Sequence, residues 1–197
     1  MSDQPIAVPT PNQKFTSALR DWIVVIVVAL AIATIVRVLI LQQFYISGPS
    51  METTLFQDNR VLVSKMSYRF FDISRGDVVV FDRVTTDGGT VQHDDLIKRV
   101  IGLPGEKIEI KSCSVFINDQ LLPEPYLDAF DLGQSALEDR CRLPNMAPQV
   151  VPNGDVFVMG DNRSQSYDSR MFGPIDETLI VGRAFVVVWP FSVAKFL

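Results

Sequence analysis

Twenty almost uninterrupted apolar residues, from Trp22 to Leu41, set the first limit on the architecture of this chain. A helix of that length spans roughly 30 Å, which is the thickness of the hydrocarbon core of a bilayer. Arg37 is the only charged residue in the run, and it lies near the far end, where its side chain can reach the lipid headgroups. Because no polar periodicity interrupts the run, a helix packed on a globular core is not expected. We predict a transmembrane anchor over residues 21–41.

A cleaved signal peptide is the main alternative for this segment. Ala31-Ile32-Ala33 has the small-x-small form of a cleavage site, but it lies inside the apolar run, and no such site follows the run. Lys14 and Arg20 precede the anchor, and positive residues favour the cytoplasmic side of a membrane. We therefore predict a flexible cytoplasmic tail over residues 1–20. Residues 42–197 are expected on the outer face of the plasma membrane or of a thylakoid membrane.

The composition argues against several classes of function. The net charge is −5 and the chain contains no Lys/Arg cluster, so no nucleic acid partner is expected. A single histidine excludes a multi-histidine metal site, although not a carboxylate site, and we expect neither a metal nor a cofactor. Cys113 and Cys141 would lie outside the cytoplasm, where a disulfide can persist. The sequence leaves open whether their sulfurs meet.

Short strand-like segments alternate with turn signals beyond the anchor. Val78–Phe81 has the pattern of a buried strand, and Lys107–Lys111 alternates between charged and apolar residues. The segment Val115–Asp119 has the pattern of a hairpin. Residues 82–95 are polar and contain glycine, which predicts a loop, and Pro123–Pro152 is proline-rich, which predicts an irregular excursion. The spacing predicts a mostly antiparallel β domain, either a sheet or a barrel.

The stretch from Ser47 to Leu55, just after the anchor, contains a serine suited to nucleophilic chemistry. Gly48 and Pro49 impose a sharp backbone path, which predicts that Ser50 lies on a tight turn with its hydroxyl exposed. A serine held on such a turn is a plausible nucleophile, provided that a base takes its proton. The same residues also fit a simple linker that leaves a membrane helix. The choice depends on whether the rest of the chain supplies the base.

The only histidine of the chain is one candidate for that base. A Ser-His-Asp site would need His93, which lies between polar residues in the predicted loop and is followed by Asp94 and Asp95. An exposed loop histidine is the simpler interpretation of this pattern.

Lys98 is the better candidate. Alternate residues of a strand share a face, so one member of the adjacent cations Lys98 and Arg99 must face an apolar neighbourhood. Burial lowers the pKa of a lysine, whereas an arginine stays charged, so a buried lysine can become a neutral base. A Ser–Lys dyad is therefore chemically sensible. The alternative, in which Lys98 extends into solvent at the edge of the sheet, remains open at this point.

Four sequence boxes make the chain resemble a known family, the bacterial type I signal peptidases. The boxes occur in the order of that family, after an anchor helix, and the resemblance covers roughly residues 20–190. Each box alone is a weak signal, whereas four in order are highly specific. The boxes are Ser50-Met51-x-x-Thr54-Leu55, Arg75-Gly76-Asp77-Val78-Val79, Lys98-Arg99-x-x-Gly102-x-Pro104-Gly105 and Gly160-Asp161-Asn162-Arg163-x-x-Ser166-x-Asp168-Ser169-Arg170.

The resemblance implies a fold, an activity and a set of roles. The fold would be a signal-peptidase-like β domain, and the enzyme would be a serine endopeptidase with Ser50 as nucleophile and Lys98 as general base. Ser166 would hydrogen-bond the lysine amine and orient it. The backbone N–H of Ser50 would form part of the oxyanion hole. Some members carry a serine two residues before the nucleophile as a second donor, and this chain has Gly48 there; Thr53 replaces the proline that is usual in the family.

The resemblance also implies supporting residues. Asp168 and Arg170 would form an ion pair that holds the loop of Ser166, and Arg99 would be a further part of that support. The simpler alternative for Asp168 and Arg170 is a pair of solvated loop charges.

The implied substrate is a preprotein whose signal peptide is still inserted in the membrane, cut after a small-x-small motif. Ser50 follows the predicted anchor by nine residues, which would place the nucleophile near the bilayer surface. The partners would thus be signal peptides and the lipid bilayer. Four nearby apolar residues are expected either to line a shallow cleft or lipid contact, or to belong to the core: Phe44, Tyr45, Ile46 and Met51.

Two other classes of protein share some of these features. Soluble self-cleaving repressors use Ser–Lys chemistry, but they carry an N-terminal DNA-binding helix pair where this chain has its apolar run. A membrane-tethered β domain that serves as a non-enzymatic scaffold would need none of the four boxes.

Overall fold

The structure is a computed structural model, and it describes residues 11–35, 40–87, 90–127 and 141–197. The chain divides into two compact units, Met1–Ile40 and Leu41–Leu197.

The described part of the first unit forms helix α1, over Pro11–Ile35. It begins inside the segment predicted as a flexible tail, so residues 11–20 are helical rather than irregular. The apolar side chains from Trp22 to Ile32 are exposed, with Trp22 at 68%. Arg37 lies outside the described residues, and Leu41, the predicted end of the anchor, begins a strand. Among the residues that the structure describes, no helix combines the length and the apolar character needed to span a bilayer.

The second unit is built on a large antiparallel sheet, as the spacing of the strands predicts. Among the described residues this sheet has eight strands, in the order β1-β2-β11-β3-β4-β9-β10, with β12 beside β11. The strands are β1 Leu41–Tyr45, β2 Arg60–Ser64, β3 Val78–Asp87, β4 Thr90–Gly102, β9 Asp155–Met159, β10 Ile175–Asp176, β11 Ile180–Trp189 and β12 Lys195–Phe196. Two short helices accompany them, α2 Ser67–Phe70 and α3 Ser169–Phe172.

The alternation of side chains along β3 shows why this sheet has two buried faces. Val78 and Val80 pack into one cluster with residues such as Leu55, and Val79 and Phe81 pack into another on the opposite face. An apolar run with no polar alternation is the pattern expected for a strand that is covered on both sides.

A smaller sheet has the strand order β7-β6-β5-β8 in the described part of the chain. Its strands are β5 Lys107–Lys111, β6 Ser114–Ile117, β7 Gln120–Leu121 and β8 Met146–Val150. The predicted hairpin at Asn118 and Asp119 is present, and both residues have positive φ, 49° and 68°, as a tight hairpin turn requires. Cys113 and Cys141 form a disulfide.

The prediction of irregular structure is wrong in part for two segments. Residues 82–87 and 90–95 form a two-stranded ribbon, because β3 and β4 stay paired from Asp82 opposite Asp95 to Asp87 opposite Thr90. The segment Pro123–Pro152 contains strand β8. The polar composition that suggests a loop reflects a ribbon that is largely exposed, where no buried face imposes an apolar pattern.

The apolar residues around Ser50 belong mainly to the core. Ile46 and Met51 are buried in the cluster that also contains Val78, and Phe44 packs against it. Tyr45 differs, because it is 57% exposed. The segment that carries Ser50 is therefore anchored in the core of the domain.

Candidate functional site

The first element of the site is the turn that carries Ser50. A 3₁₀ turn over Pro49–Met51 follows Gly48, which is extended at φ −154° and ψ 161°. Pro at the start of the turn fixes its backbone, and the fully buried Met51 at its end anchors it in the core. The carbonyl of Ser50 accepts a hydrogen bond from the N–H of Asn162 at 3.1 Å, so the backbone of this residue is held by a second loop.

The second element is the inner end of β4, which delivers Lys98 to this turn. Lys98 Nζ lies 2.8 Å from Ser50 Oγ and donates a second hydrogen bond to the carbonyl of Ile97, also at 2.8 Å. Lys98 is only 3% exposed. The structure therefore brings together the two residues that were expected to form a dyad, and the solvent-exposed alternative for Lys98 is wrong.

Burial lowers the pKa of Lys98 from its ordinary 10.5 to about 8. The negative charges of Asp168 and Asp161 oppose this shift, and the positive charge of Arg170 adds to it. At pH 7 about a tenth of this amine is thus neutral and can accept a proton, a far larger share than for an ordinary lysine.

The third element is the loop that follows β9 and begins at Gly160. A β-carbon at Gly160 would lie 2.3 Å from the Ser50 carbonyl oxygen and 2.3 Å from Ser166 Oγ. The Ser50 oxygen belongs to the backbone and Ser166 Cβ would also lie only 2.6 Å away, so only glycine allows the three residues to pack this closely.

Ser166 is fully buried beside this glycine, with 0% exposure. Within the described part of the chain its Oγ has no hydrogen-bond partner of acceptable geometry, although its position helps to lower the pKa of Asp168. The expected hydrogen bond from Ser166 to the amine of Lys98 is therefore not present in this structure.

Asp168 and Arg170 form a buried bidentate ion pair. Arg170 Nε and Nη2 donate to the two carboxylate oxygens of Asp168, each at 2.8 Å. Asp168 also accepts the N–H of Gly160 at 3.0 Å, which connects the ion pair to the loop. Burial alone would raise the pKa of Asp168, but the hydrogen bonds and charge of Arg170 hold it below its ordinary value. The expected ion pair is present, and the alternative of two solvated charges is wrong.

Arg99 makes a second buried ion pair, with Asp161. Its Nε and Nη2 donate to the carboxylate at 2.9 Å and 2.6 Å, and it also donates to the Gly76 carbonyl at 2.8 Å and to Thr54 Oγ1 at 3.2 Å. Arg99 was expected to support the site, but its partner was not identified. The sequence does contain a pointer to Asp161 as that partner, because it follows Gly160 in the fourth sequence box.

Glu124 and Tyr126 are further site neighbours that the sequence did not reveal. Glu124 forms a buried ion pair with Arg163, and the ring of Tyr126 lies 4.1 Å from the guanidinium of Arg99. Both come from the segment predicted as an irregular excursion, and no local pattern indicates that it returns to the loop of Gly160.

Two candidate residues lie outside this arrangement. His93 is on the exposed ribbon, where its side chain is 63% exposed and its Nδ1 lies 2.6 Å from Asp82 Oδ2. Gly48 lies two residues before Ser50, but a β-carbon there would have no atom of the described residues within 4 Å.

The assembled residues have a definite chemical capacity. A half-buried serine hydroxyl touches a buried amine with a lowered pKa, and two ion pairs fix the loops on either side. Such a pair can form a covalent acyl intermediate, because the amine removes the proton that would otherwise keep the hydroxyl a weak nucleophile.

The family model described as "Signal peptidase, peptidase S26" matches residues 19–189. The chain is 39% identical over 188 residues to signal peptidase IB of Staphylococcus aureus strain MRSA252, covering 90% of this chain and 93% of that protein. It is 35% identical over 167 residues to a probable signal peptidase I-2 of Synechocystis, covering 83% and 70%. A solved signal peptidase I from Enterococcus faecalis V583 is 30% identical and covers 57% of this chain and 97% of its own, with a TM-score of 0.43.

Proposed function

The chain belongs to the signal peptidase family, peptidase S26, and from this premise we propose that it cuts its substrates with a dyad of Ser50 and Lys98. It is a serine endopeptidase that removes signal peptides from preproteins. The observation that carries the assignment of the dyad is the distance of 2.8 Å between Ser50 Oγ and a Lys98 amine that is almost completely buried.

The proposed reaction begins with a neutral Lys98. Its amine takes the proton of Ser50 Oγ as that oxygen attacks the scissile carbonyl carbon. Collapse of the tetrahedral intermediate breaks the C–N bond, and the proton passes from Lys98 to the departing amine. An acyl group stays on Ser50, and a water molecule that Lys98 deprotonates then releases it.

Charge develops on the carbonyl oxygen in both steps. The backbone N–H of Ser50 would donate to that oxygen, and its position is fixed because the Ser50 carbonyl and the Gly160 loop pack against each other. A second side-chain donor from position 48 is missing in this chain, since Gly48 has no side chain.

Ser166 would be the orienting group for the lysine amine. It is buried next to Gly160, and its Oγ has no hydrogen-bond partner of acceptable geometry among the described residues, so its hydroxyl would be free to bond the lysine amine during the reaction. Asp168, Arg170 and Arg99 would hold the surrounding loops, since their ion pairs are buried.

The substrate is proposed to be cut after a small-x-small motif while it is inserted in the membrane. The apolar run that includes much of α1 would anchor the enzyme in the same bilayer as a single span, with the N-terminus in the cytoplasm. Its exposed apolar side chains and its unbroken composition support this. Extraction of the full chain from membranes by detergent, but not by alkaline carbonate, is the expected result.

The dyad is tested with the full chain in detergent and a preprotein that ends its signal peptide in Ala-x-Ala. We expect Ser50→Ala and Lys98→Ala each to abolish cleavage while the protein remains folded, because each removes one partner of the proton transfer. Wild-type protein in the same assay is the control. Retained turnover in Lys98→Ala would contradict the dyad, and a scaffold without peptidase activity would show no cleavage even with the wild-type chain.

A further inference from the structure

The segment Pro123–Leu127, which follows β7, contacts both loops that hold the dyad; we call it the strap. We propose that Glu124 and Tyr126 of the strap are positioning residues, which set the rate of the acyl transfer by fixing the Gly160 loop and the turn after Ser50. This inference rests on the proposed function of Ser50 and Lys98, and neither strap side chain contacts the reacting atoms.

The first contact holds the loop of Gly160. Arg163 Nη1 donates to Glu124 Oε2 at 3.0 Å, and its Nη2 donates to Glu124 Oε1. The two side chains are only 6% and 8% exposed, so the pair is shielded from solvent. Arg163 Nε donates to the Gly160 carbonyl at 3.0 Å. Glu124 thus fixes the guanidinium that holds one side of Gly160.

The second side of Gly160 is held by Asp168, which accepts its N–H at 3.0 Å. The residue is therefore gripped at both its backbone polar groups while its α-carbon packs against the Ser50 carbonyl and Ser166. A shift of the Arg163 guanidinium would move the surface on which the nucleophile rests. Glu124 acts on Ser50 through this chain of contacts.

The other contact holds the turn that follows Ser50. The ring of Tyr126 lies 4.1 Å from the guanidinium of Arg99, which donates to Asp161 and to Thr54 Oγ1. The Tyr126 carbonyl accepts a hydrogen bond from Thr53 Oγ1 at 3.3 Å. The strap therefore stacks on the cation beside Lys98 in β4 and also bonds to the residues that follow the nucleophile.

Thr53 shows that this contact holds the backbone in an unfavourable conformation. Its φ is 85°, a region that a β-branched residue rarely adopts. Such a conformation persists only where the surroundings impose it. The hydrogen bond from Thr53 to the strap is one of the contacts that impose it here.

The two strap side chains also support each other. Tyr126 Oη donates to Glu124 Oε1 at 2.6 Å, and burial together with the Glu124 charge raises the pKa of Tyr126. Burial alone would lower the pKa of Arg163, but its hydrogen bonds and charge pairing with Glu124 raise it overall, so it stays charged. The strap is a connected polar unit between two loops of the site.

The first test compares Tyr126→Leu with Tyr126→Phe. Leucine removes the ring face from Arg99, whereas phenylalanine keeps it and removes only the hydroxyl. We expect Tyr126→Leu to lower kcat roughly 10- to 100-fold, the loss typical of a displacement of about 1 Å in a catalytic group. KM should change less than about threefold, because the strap acts on the loops that hold the dyad, and Tyr126→Phe should recover most of kcat.

The second test compares two substitutions that break an Arg–Glu pair. Glu124→Gln removes the partner of Arg163, and Glu106→Gln removes the partner of Arg75, whose Nη2 lies 2.5 Å from Glu106 Oε1 away from the dyad. We expect both to lower the melting temperature, but only Glu124→Gln to lower kcat of the folded protein. Thr53→Val, which keeps the shape and loses the hydroxyl, should lower kcat a few-fold without unfolding.

The outcomes separate this inference from the dyad itself. Full kcat in folded Tyr126→Leu and Glu124→Gln, or a loss confined to KM, would overturn the role of the strap while an inactive Lys98→Ala leaves the dyad intact. If Lys98→Ala retains turnover in the same assay, the dyad fails instead. If Glu124→Gln does not fold, Tyr126→Leu and Thr53→Val decide, since neither leaves a buried charge unpaired.

Discussion

Strand β4 carries His93 towards its outer end and Lys98 towards its inner end. Both residue types can act as general bases, but the surroundings of these two side chains differ completely. At the outer end His93 lies on an exposed ribbon beside Asp82, with 63% of its side chain exposed. At the inner end, five residues later, Lys98 is 3% exposed and touches Ser50 Oγ. The same strand therefore places a histidine in solvent and a lysine in the protein interior.

This difference shows that burial, more than residue type, selects the base. Histidine is the side chain whose ordinary pKa lies closest to neutrality, yet the position of His93 brings it no nucleophile. Lysine is ordinarily protonated at neutral pH, but burial lowers the pKa of Lys98 to about 8. Burial at the inner end of β4 therefore gives Lys98 the low pKa that a general base needs, which its residue type alone does not provide.

Substitution of the base itself should have the largest effect on activity. We expect Lys98→Arg to lower kcat about 100- to 10,000-fold, the range for removal of a general base, because an arginine cannot give up its proton at working pH. His93→Asn at the outer end should stay within about twofold of wild type. Steady-state cleavage of a preprotein in detergent measures both. Comparable losses in the two variants would remove the distinction between the ends.

Stability should separate the two ends next. Asp168→Asn leaves the buried Arg170 without its carboxylate, and breaking such a pair costs about 3–5 kcal/mol of the free energy of unfolding. Asp82→Asn on the ribbon should cost less than about 1 kcal/mol, because its partner His93 is largely exposed. Denaturant unfolding of the two variants provides the measurement, and equal losses would show that the ribbon is as tightly integrated as the site.

The pH dependence of kcat/KM should follow Lys98 at the inner end and not His93 at the outer end. Since Lys98 must be neutral to act, kcat/KM should rise with pH and level off above a pKa of about 8. The gain between pH 7 and pH 9 is about tenfold for a single group of this pKa. His93→Asn should leave the profile unchanged. A midpoint that disappears in His93→Asn would assign the titration to the outer end instead.

The smallest effect concerns the open space beside the nucleophile. In the part of the chain that the structure describes, a β-carbon at Gly48 meets no atom within 4 Å, and the φ of −154° suits any residue. Gly48→Ser would place a hydroxyl where a second oxyanion donor is expected, and we expect kcat to rise a few-fold, well below the roughly 100-fold value of an optimised donor. Gly48→Ala is the matched control, since it adds the carbon without the hydroxyl. An equal gain in both would exclude a donor effect.

The sequence predicts most of the inner end and little of the outer one. Lys98 could be selected because it adjoins Arg99 in an apolar strand, and the boxes around Ser50 and Gly160 give the order in which the parts occur. The sequence of the ribbon predicts a loop instead, because exposed strands of polar residues lack the alternation that a buried face imposes. The polarity of the segment concealed its pairing.

The parts that escaped prediction are those that depend on contacts between distant segments. Glu124 and Arg163 are 39 residues apart, and nothing in either local sequence indicates the other. The burial of Ser166 against Gly160 likewise depends on how two loops meet, which no local pattern reveals. Spacing within one segment predicts which face a residue occupies, but the partner across a loop becomes visible only in three dimensions.

The buried amine of Lys98 that activity requires also lowers the stability of the folded enzyme. The unfolded chain holds that proton up to a pKa of 10.5, whereas the folded chain loses it near 8, so folding at neutral pH works against roughly 3 kcal/mol. This penalty is present below pH 8 and fades as the pH rises towards 10.5. An inactive Lys98→Met protein should therefore have a higher free energy of unfolding at neutral pH. Selection for activity in secretion would oppose selection for stability at this single position.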